Sequence, residues 1–494
     1  MRPLGMGGLE VTVQPAESVQ TVQTQKFSLF ALTAMVVGSM VGAGIFSLPR
    51  AFATATGPFG AIIAWIIAAG GMYFLARVFQ ALAERKPDLD AGVYAYAKAG
   101  FGDYLGFLSA FGYFVSACLG NTFYWVLIKS TLGAFFPIFG NGDTLAAVVV
   151  SSIGIWIFHF TVLRGVQQAA AINKIVTVAK VIPILLFIVI LAVSFKGHLF
   201  VANFWGGEGM PATSLFEQVR GTMLVTVFVF IGIEGASVYS RYARTRADVG
   251  TATIAGFIGV TALMVLVTLL SYAVLPRAEI AGLRQPSMAT VLEALVGHWG
   301  AIFVSIGLIV SVLGAYLAWQ MIAAEVLFNA AKTDDMPRIF ATENQNKVPV
   351  AALWLSNGIV QLLVISTLFS EDAFTLMLKL ASAMSLIPYL LVAGYAVLIS
   401  RRGETYDTRP QERNRDLTIA GIATLYTAFM ILAGGMKFLL LSAIIYAPGT
   451  LLYFWARREQ NKRIFSPVEW VVFLVAVVGC IVGIHGLVTG YIVI

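Results

Sequence analysis

The sequence contains thirteen long apolar runs, and the polar segments between them are short. The runs lie near residues 27–49, 58–83, 102–135, 144–163, 171–195, 218–240, 250–275, 299–331, 348–369, 373–400, 416–434, 437–456 and 466–492. A helix needs about 20 apolar residues to cross the hydrocarbon core of a bilayer, and each run supplies roughly that length or more. The strands of a membrane barrel are shorter and alternate in polarity, which these runs do not. The pattern predicts an all-α polytopic membrane protein.

The composition excludes the soluble classes of protein. Of the 494 residues, 59% are hydrophobic and only 12% are charged, which is about half the charged fraction of an average soluble domain. So few charges cannot cover the exterior of a soluble enzyme or of a nucleic-acid-binding protein. The two cysteines, Cys118 and Cys480, lie inside apolar runs and predict neither a disulfide framework nor a metal site. The expected surroundings of the chain are therefore a lipid bilayer.

The basic residues predict the orientation of the chain in the membrane. They concentrate in alternate loops, with five arginines in residues 401–415 and four basic residues in 457–463. Because cytoplasmic loops carry an excess of Lys and Arg, these loops and the amino terminus are placed in the cytoplasm, and the formal net charge of +7 is attributed to them. Residues 1–26 lack the short apolar core and cleavage site of a signal peptide and are interpreted as a cytoplasmic tail.

The first apolar run is interrupted by glycines. Gly38, Gly42 and Gly44 fall within seven residues, and each costs roughly 1 kcal/mol relative to alanine inside a helix. One interpretation is a close contact between helices through small residues. The other is an unwound segment that lines a cavity, where Gly42 lets the backbone approach a ligand and exposed N–H groups bind an anion such as a carboxylate. We favour the unwound segment.

The sixth run carries a matching interruption. Gly232 and Gly235 flank Glu234 in the middle of this run. An acidic residue inside a span costs on the order of 2.5–3.5 kcal/mol, so Glu234 is expected to face protein or water. Paired interruptions at corresponding positions of two halves are typical of inverted-repeat transporters. Because the two interrupted runs are five spans apart, the halves are expected to be inverted.

Five sequence stretches carry a resemblance to a known family. They are VVGSMVGAGIFSLP in the first run, ERKPDLDAGVYAYAKAGFGDYLGFLSAFGYFVSACLGN into the third, FIGIEGAS in the sixth, PRIF after the eighth and LLLSAIIYAPG near the end. The chain resembles the amino acid–polyamine–organocation transporter superfamily, in its basic amino acid and polyamine antiporter branch. Within that branch it most resembles the arginine–ornithine antiporters.

This resemblance implies the fold and the division of the chain. The expected fold is a LeuT-like transporter core of five plus five spans in inverted repeats, with discontinuous spans one and six and two or three extra carboxyl-terminal spans. A cytoplasmic tail over 1–26 would precede a first repeat over 27–195, an inverted second repeat over 218–400, and the extra spans over 401–494. The protein would be a multi-pass protein of the bacterial cytoplasmic (inner) membrane.

By resemblance, backbone atoms of the two interrupted runs bind the charged groups of an amino acid. The N–H groups around Ala43 and Gly44 would hold the substrate carboxylate, while the carbonyls of Met40, Phe228 and Ile231 would take its α-ammonium group. Helix dipoles favour the same division, with anions at amino ends and cations at carboxyl ends. Family members often have a hydroxyl residue in place of Ala43 and a tryptophan in place of Phe228. This chain therefore lacks one side-chain contact to the substrate carboxylate, whereas Phe228 keeps an aromatic face.

By resemblance, the backbone carbonyls near Ala117 and the amide of Asn121 would meet the side-chain end of the substrate, and Tyr113 would line the site and help to close it. Trp319, in the eighth run, matches the family position where an aromatic ring stacks on a guanidinium, an interaction of about 0.5–2 kcal/mol; the alternative is an aromatic belt residue at the membrane interface. Tyr113, Ala117 and Asn121, in the third run, are spaced by four and share a helix face. The alternative for Tyr113 and Asn121 is a hydrogen bond between helices.

Three charged residues inside spans are predicted to take part in gating or coupling. Lys180 resembles a lysine whose amine occupies the place of a sodium ion in relatives, which implies sodium-independent transport. It could also exchange a proton or permanently tie the fifth run to the first. Glu325 lies about 240° around the helix from Trp319, off the substrate face, and could pair with Lys180 or another buried cation. Glu234 is predicted to gate the site or to sense pH.

The sequence predicts a secondary transporter of basic amino acids that exchanges arginine for ornithine by alternating access of two inverted halves. Lysine is a further candidate substrate, and no cofactor, metal or nucleic acid is expected. Two alternatives stay open: a proton-coupled symporter or uniporter, and an exchanger of lysine with cadaverine or of histidine with histamine. The sequence shows no nucleophile with a base and an orienting group, so an enzyme is not expected. It leaves open whether the chain forms a homodimer.

Overall fold

The computed structural model describes residues 40–89, 93–165, 170–210, 213–234, 246–370 and 372–493, together with the single residues Leu29, Thr33, Val37 and Gly38. In residues 170–175, 177–178 and 246–250 only the backbone is described. The tail predicted over 1–26 lies outside the described residues, and so does Gly235 of the sixth run.

Within the described ranges, the regular structure is helical and no strand is formed. The α-helices are α1 (Leu48–Ala53), α2 (Pro58–Arg85), α3 (Val93–Phe101), α4 (Asp103–Phe135), α5 (Leu145–Leu163), α6 (Ala170–Val193), α7 (Gly197–Asn203), α8 (Leu215–Phe230), α9 (Arg246–Ser271), α10 (Arg277–Gly282), α11 (Ser287–Val296), α12 (His298–Lys332), α13 (Val350–Ser366), α14 (Ala373–Arg402), α15 (Glu412–Glu459) and α16 (Pro467–Val488). A 3-10 helix, Ala43–Ser47, leads directly into α1. The predicted all-α fold is confirmed.

Among the described residues, nine helices are long and apolar enough to cross a membrane. A tenth candidate is the pair formed by the end of α6 and α7, which bends by 101°. The chain is therefore a multi-pass membrane protein. The thirteen predicted runs outnumber these ten candidates for two reasons. The first and sixth runs are broken, and α15 contains both the eleventh and the twelfth run. The two runs in α15 are separated by a kink at Gly435, where φ is 83° and ψ is 165°.

Helix α4 is the most buried of the spans that the structure describes. Almost every residue from Tyr104 to Gly133 is buried, because α4 packs against α12, α13 and α14. At the other extreme, α16 packs mainly against α15 and leaves Leu474, Val475 and Val478 exposed. A helix that is apolar all round and yet exposed is suited to contact with lipid.

Both predicted interruptions are present as breaks in the backbone. In the first run, Met40 is helical, Gly42 is extended with φ −94° and ψ −170°, and the 3-10 helix begins at Ala43. In the sixth run, α8 ends at Phe230 and the chain turns through Gly232, whose φ of 105° suits glycine. The first run is therefore not a continuous helix. The breaks place backbone N–H and carbonyl groups inside the helical bundle.

Candidate functional site

A cavity lies between the two broken segments and helices α4 and α12. The space between its atoms, including space open to solvent, is about 470 Å³. Its lining residues are all uncharged and are Met40, Gly42, Ala43, Gly44, Ile45, Ser116, Ala117, Gly120, Tyr124, Phe228, Val229, Ile231 and Trp319. Eight of the ten residues predicted to bind substrate line this cavity, and the exceptions are Tyr113 and Asn121.

The two broken segments touch each other at Gly44. A Cβ atom on Gly44 would lie 2.8 Å from Cγ1 of Val229 and 3.0 Å from Cδ1 of Phe228, which is closer than carbon atoms pack. A side chain at this position would push the segments apart. Gly42 differs, because a Cβ there would meet only the Tyr124 hydroxyl, at 3.9 Å. Gly42 therefore borders open space, and close packing does not require glycine at this position.

The start of the 3-10 helix supplies backbone donors at the edge of the cavity. The first N–H groups of a helix have no carbonyl partner within that helix, and no side chain caps this one. Ala43 and Gly44 are its first two residues, and both line the cavity. An anion placed here would meet N–H groups at the amino end of a helical segment, which is a favourable position for negative charge.

Backbone acceptors lie at the carboxyl ends of the helical segments that precede the two breaks. The Met40 carbonyl accepts a hydrogen bond from the Gly42 N–H at 2.9 Å, and the Phe228 carbonyl accepts one from the Ile231 N–H at 3.2 Å. A carbonyl oxygen has two lone pairs, so each of these groups can accept a second donor. The residues predicted to take an α-ammonium group are therefore together in one cavity.

Two aromatic side chains form walls of the cavity. The Trp319 ring, on α12, lies 6.5 Å from the Tyr113 ring between centroids. The Phe228 ring meets Phe123 edge-on, with 4.7 Å between centroids. Because Trp319 lines the cavity and is half-buried, its alternative interpretation as an interfacial belt residue is wrong. An indole ring in a wall without charged side chains is a suitable partner for a cation.

The face of α4 that borders the cavity differs from the predicted one. Ser116, Gly120 and Tyr124 line the cavity at a spacing of four, with Ala117 beside them. Of the predicted stripe, only Ala117 belongs to this face. Sequence reasoning misses Ser116, Gly120 and Tyr124, although their spacing marks a common helix face.

The polar side chains of α4 near the cavity are directed in different ways. Ser116 donates a hydrogen bond to the Ala381 carbonyl at 2.8 Å, and its Oγ lies 2.5 Å from that of Ser385, so it joins α4 to α14. Asn121 is 1% exposed, and neither of its amide atoms has a hydrogen-bond partner among the described residues. The predicted contact of Asn121 with a substrate stays a prediction.

Glu234 is held by hydroxyl groups of two neighbouring helices. Its carboxylate accepts hydrogen bonds from Tyr113 of α4, from Tyr389 of α14 at 2.9 Å, and from the Gly232 N–H at 3.1 Å. The side chain is almost fully buried. Since Tyr113 also contacts Trp319, one side chain links this acid to the cavity wall. Gating and pH sensing by Glu234 stay predictions.

Lys180 joins α6 to the break in the first run. Its ammonium group donates to the Gly38 carbonyl at 2.6 Å and to the Val41 carbonyl at 3.0 Å, and the side chain is buried. A cation at the carboxyl end of a helical segment pairs with carbonyls that a break leaves free. The geometry matches an ammonium that ties the fifth run to the first, while a role in proton exchange stays a prediction.

Glu325 does not have the predicted partner. It is half-buried on α12, and it forms no ion pair with any residue that the structure describes. The predicted pair with Lys180 is wrong, because the Lys180 ammonium is directed at the backbone carbonyls of the first run.

Comparison with known proteins identifies the family. A family model with the description "amino acid permease" matches residues 27–437, a range that contains the cavity and both broken segments. The chain belongs to the amino acid permease family. The predicted membership of the transporter superfamily is thereby confirmed, and this permease is a transporter and not an enzyme.

Similar proteins match this permease over nearly its whole length. An arginine/ornithine antiporter of Pseudomonas aeruginosa is 52% identical over 95% of this chain and 98% of its own length. An L-lysine transport protein of Corynebacterium glutamicum is 40% identical over 94% of this chain and 95% of its own. An arginine/agmatine antiporter of Chlamydia pneumoniae is 38% identical over 90% of this chain and 93% of its own. All three are named for the transport of basic amino acids.

Proposed function

We propose that this permease is an antiporter of basic amino acids that exchanges arginine for ornithine across the bacterial cytoplasmic membrane. An arginine/ornithine antiporter shares half of its residues over nearly the whole chain, which supports this choice of substrates. The relatives named for lysine and for arginine and agmatine are less similar. They support the wider class of basic amino acids.

The cavity between the broken segments is the observation that carries the proposal. The N–H groups of Ala43 and Gly44 receive the substrate carboxylate, because the amino end of a helical segment favours an anion. The carbonyls of Met40 and Phe228 accept hydrogen bonds from the α-ammonium group. The distal cation of arginine or ornithine then lies against Trp319. An amino acid with two cationic groups and one carboxylate matches this set of partners.

The proposal includes two inverted repeats, over 27–195 and 218–400. The breaks fall in the first and sixth runs, five spans apart, and the two segments meet at Gly44. In inverted-repeat transporters, the substrate site is formed by such discontinuous helices. Rocking of one half against the other would open the cavity to each side of the membrane in turn. The basic loops support a cytoplasmic amino terminus.

Counterflow in proteoliposomes tests the exchange. Liposomes that contain only this protein are loaded with ornithine, with glutamate or with buffer, and are diluted into radiolabelled arginine. We expect rapid uptake with internal ornithine and only background uptake with glutamate or buffer. Uptake that is indifferent to internal ornithine but follows an imposed pH gradient would instead establish the proton-coupled alternative.

A competition panel tests the substrate assignment separately. Unlabelled arginine, ornithine, lysine, cadaverine, histidine and histamine are each added outside the ornithine-loaded liposomes. We expect arginine and ornithine to compete most strongly with the labelled arginine. Stronger competition by the lysine and cadaverine pair or by the histidine and histamine pair would leave exchange intact and show that the substrate pair is wrong.

A further inference from the structure

A second cavity, here called the cationic pocket, lies near the beginnings of α8 and α14. Its space, including space open to solvent, is about 570 Å³, and residues at the kink of α15 line one side of it. Its lining includes Glu217 and Arg220 of α8, Lys379 of α14, and Gly434 and Phe438 of α15. None of its lining residues belongs to the substrate cavity. The proposed exchange gives this pocket no role.

Arg220 is held in place at the kink of α15. Its Nε donates to the Ala433 carbonyl at 3.2 Å, and its Nη1 donates to Glu217 at 3.4 Å. A Cβ atom on Gly435 would lie 2.8 Å from Nη2 of Arg220, so the guanidinium fills the space beside this glycine. One backbone hydrogen bond, the contact with Glu217 and the space beside Gly435 therefore place the guanidinium at the kink.

Lys379 brings a second positive charge to the cationic pocket. It is half-buried, and its ammonium group has no hydrogen-bond or ion-pair partner in the part of the chain that the structure describes. The other charges that face Lys379 are Asp372 and Lys437, which have opposite signs. Glu217 offsets only one of the two lining cations, because it is engaged by Arg220. The pocket therefore carries a net positive charge and suits an anion.

An apolar groove adjoins the cationic pocket at Arg220, which lines both. The groove lies between α2, α8 and α15, and its space, including space open to solvent, is about 590 Å³. Its apolar lining includes Ile63, Ile67, Phe216, Val219 and Phe429. Phe429 precedes the kink at Gly435 by six residues, which is about 9 Å along the helix. The groove therefore extends from the level of the kink toward the middle of the span.

We propose that the cationic pocket and the groove together bind one anionic glycerophospholipid. Its phosphodiester group lies between Arg220 and Lys379, and one acyl chain follows the groove. A free phosphate would account for the two cations but not for the groove, and an acyl chain alone would leave the cations without a partner. Cationic side chains form strong charge-assisted hydrogen bonds with phosphate oxygens, and both cations lie within two turns of the starts of their helices, near the edge of the bilayer.

Native mass spectrometry of the full-length protein in detergent tests this site. Three probes are compared: phosphatidylglycerol, phosphatidylethanolamine with the same acyl chains, and soluble glycerophosphoglycerol. We expect one phosphatidylglycerol per chain to be retained under conditions that remove phosphatidylethanolamine, and we expect no retention of the soluble headgroup. Equal retention of the two lipids would show that negative charge is not selected. Retention of the soluble headgroup would show that the groove is not used, and either result overturns the proposal.

Lys379→Met is the variant that decides the role of the unpaired cation. It keeps the length of the side chain and removes no hydrogen bond to a described residue. We expect this variant to lose most of the phosphatidylglycerol that the parent retains, whereas Lys379→Arg should retain as much as the parent. Lys196→Met, which removes an exposed cation outside the pocket, is the matched control and should behave as the parent.

Retention of phosphatidylglycerol by Lys379→Met at the level of the parent would overturn the proposal. The thermal unfolding midpoint of each variant in detergent, measured without added lipid, shows that the protein is folded. Lys379→Gln gives the same test with a polar side chain if the methionine variant does not fold.

Discussion

Trp319 is the side chain of the substrate cavity that is best placed to hold a distal cation. Trp319→Leu keeps an apolar wall but removes the aromatic ring. Since cation–π contacts contribute about 0.5–2 kcal/mol, we expect arginine to bind about 2–30-fold more weakly. Calorimetric titration of the purified protein measures this affinity. Trp455→Leu, at an exposed position on the outside of α15, is the control, and unchanged affinity in Trp319→Leu would remove Trp319 from the site.

The glycines at the first break offer a pair of substitutions with opposite expected effects. Gly42 has an extended backbone that valine adopts readily, and its Cβ would enter the cavity. Gly42→Val should therefore fold normally and lose arginine binding. Gly44→Ala should lower the thermal unfolding midpoint, because its Cβ would press against Val229. Melting curves and binding measurements on both variants separate the two effects, and parental arginine affinity in Gly42→Val would contradict the assignment of the cavity.

At the level of the element, the sequence predicts where helices break better than it predicts which face of α4 borders the cavity. The glycines around Gly42 and Gly232 mark where helices stop, because glycine weakens a helix wherever it stands. The cavity face of α4 leaves no such signal. Almost all of α4 is buried, so polar and apolar residues do not alternate with the helical period, and the sequence cannot show which side faces the cavity.

The predicted pair of Lys180 with Glu325 fails for a related reason. Two opposite charges in apolar runs are expected to attract each other, but a break in a helix also creates strong acceptors. The free carbonyls of the first run bind the Lys180 ammonium. Sequence shows charged side chains directly, whereas free carbonyls become visible only when the break is located in the fold.

Lys180→Met tests the link between α6 and the broken segment. The substitution leaves the carbonyls of Gly38 and Val41 without this donor, and a buried group that loses its partner costs about 1–3 kcal/mol. We expect a lower thermal unfolding midpoint and a loss of arginine counterflow. Lys129→Met is the matched control. Lys129 is also a buried lysine, but it does not line the cavity, and its ammonium group donates a hydrogen bond of 2.5 Å to the Thr367 hydroxyl. Lys129→Met should destabilise the protein and spare exchange, and a parental midpoint in Lys180→Met would refute the link.

At the level of the whole molecule, Arg85 connects the end of α2 to the beginning of α15. Its Nη2 lies 2.7 Å from Glu412 and 2.8 Å from Asp416, and its guanidinium lies 3.8 Å from the centre of the Tyr406 ring. These contacts join the first half of the chain to the spans that follow residue 401. The sequence does not predict these contacts, because partners more than 300 residues away cannot be recognised from one sequence.

Arg85→Met should destabilise the whole protein. Asp416 is 8% exposed, and removal of one partner from a buried pair costs about 3–5 kcal/mol. Arg415 and Tyr406 still contact Asp416 at 3.2 Å, so we expect the lower part of this range. Thermal unfolding checks the loss, and the double variant Arg85→Met with Asp416→Asn should recover part of it. A double variant that is less stable than Arg85→Met would show that the pair does not act together.

The wall of the substrate cavity has a consequence for the energetics of the proposed cycle. Because every lining side chain is uncharged, the wall of the cavity adds no charge to that of its passenger. Arginine and ornithine each bear a net charge of one at neutral pH, so a one-for-one swap moves equal charge in both directions. The membrane voltage then performs no net work. The concentration ratios of the two amino acids alone would set how far the reaction runs, and a de-energised cell could still operate it.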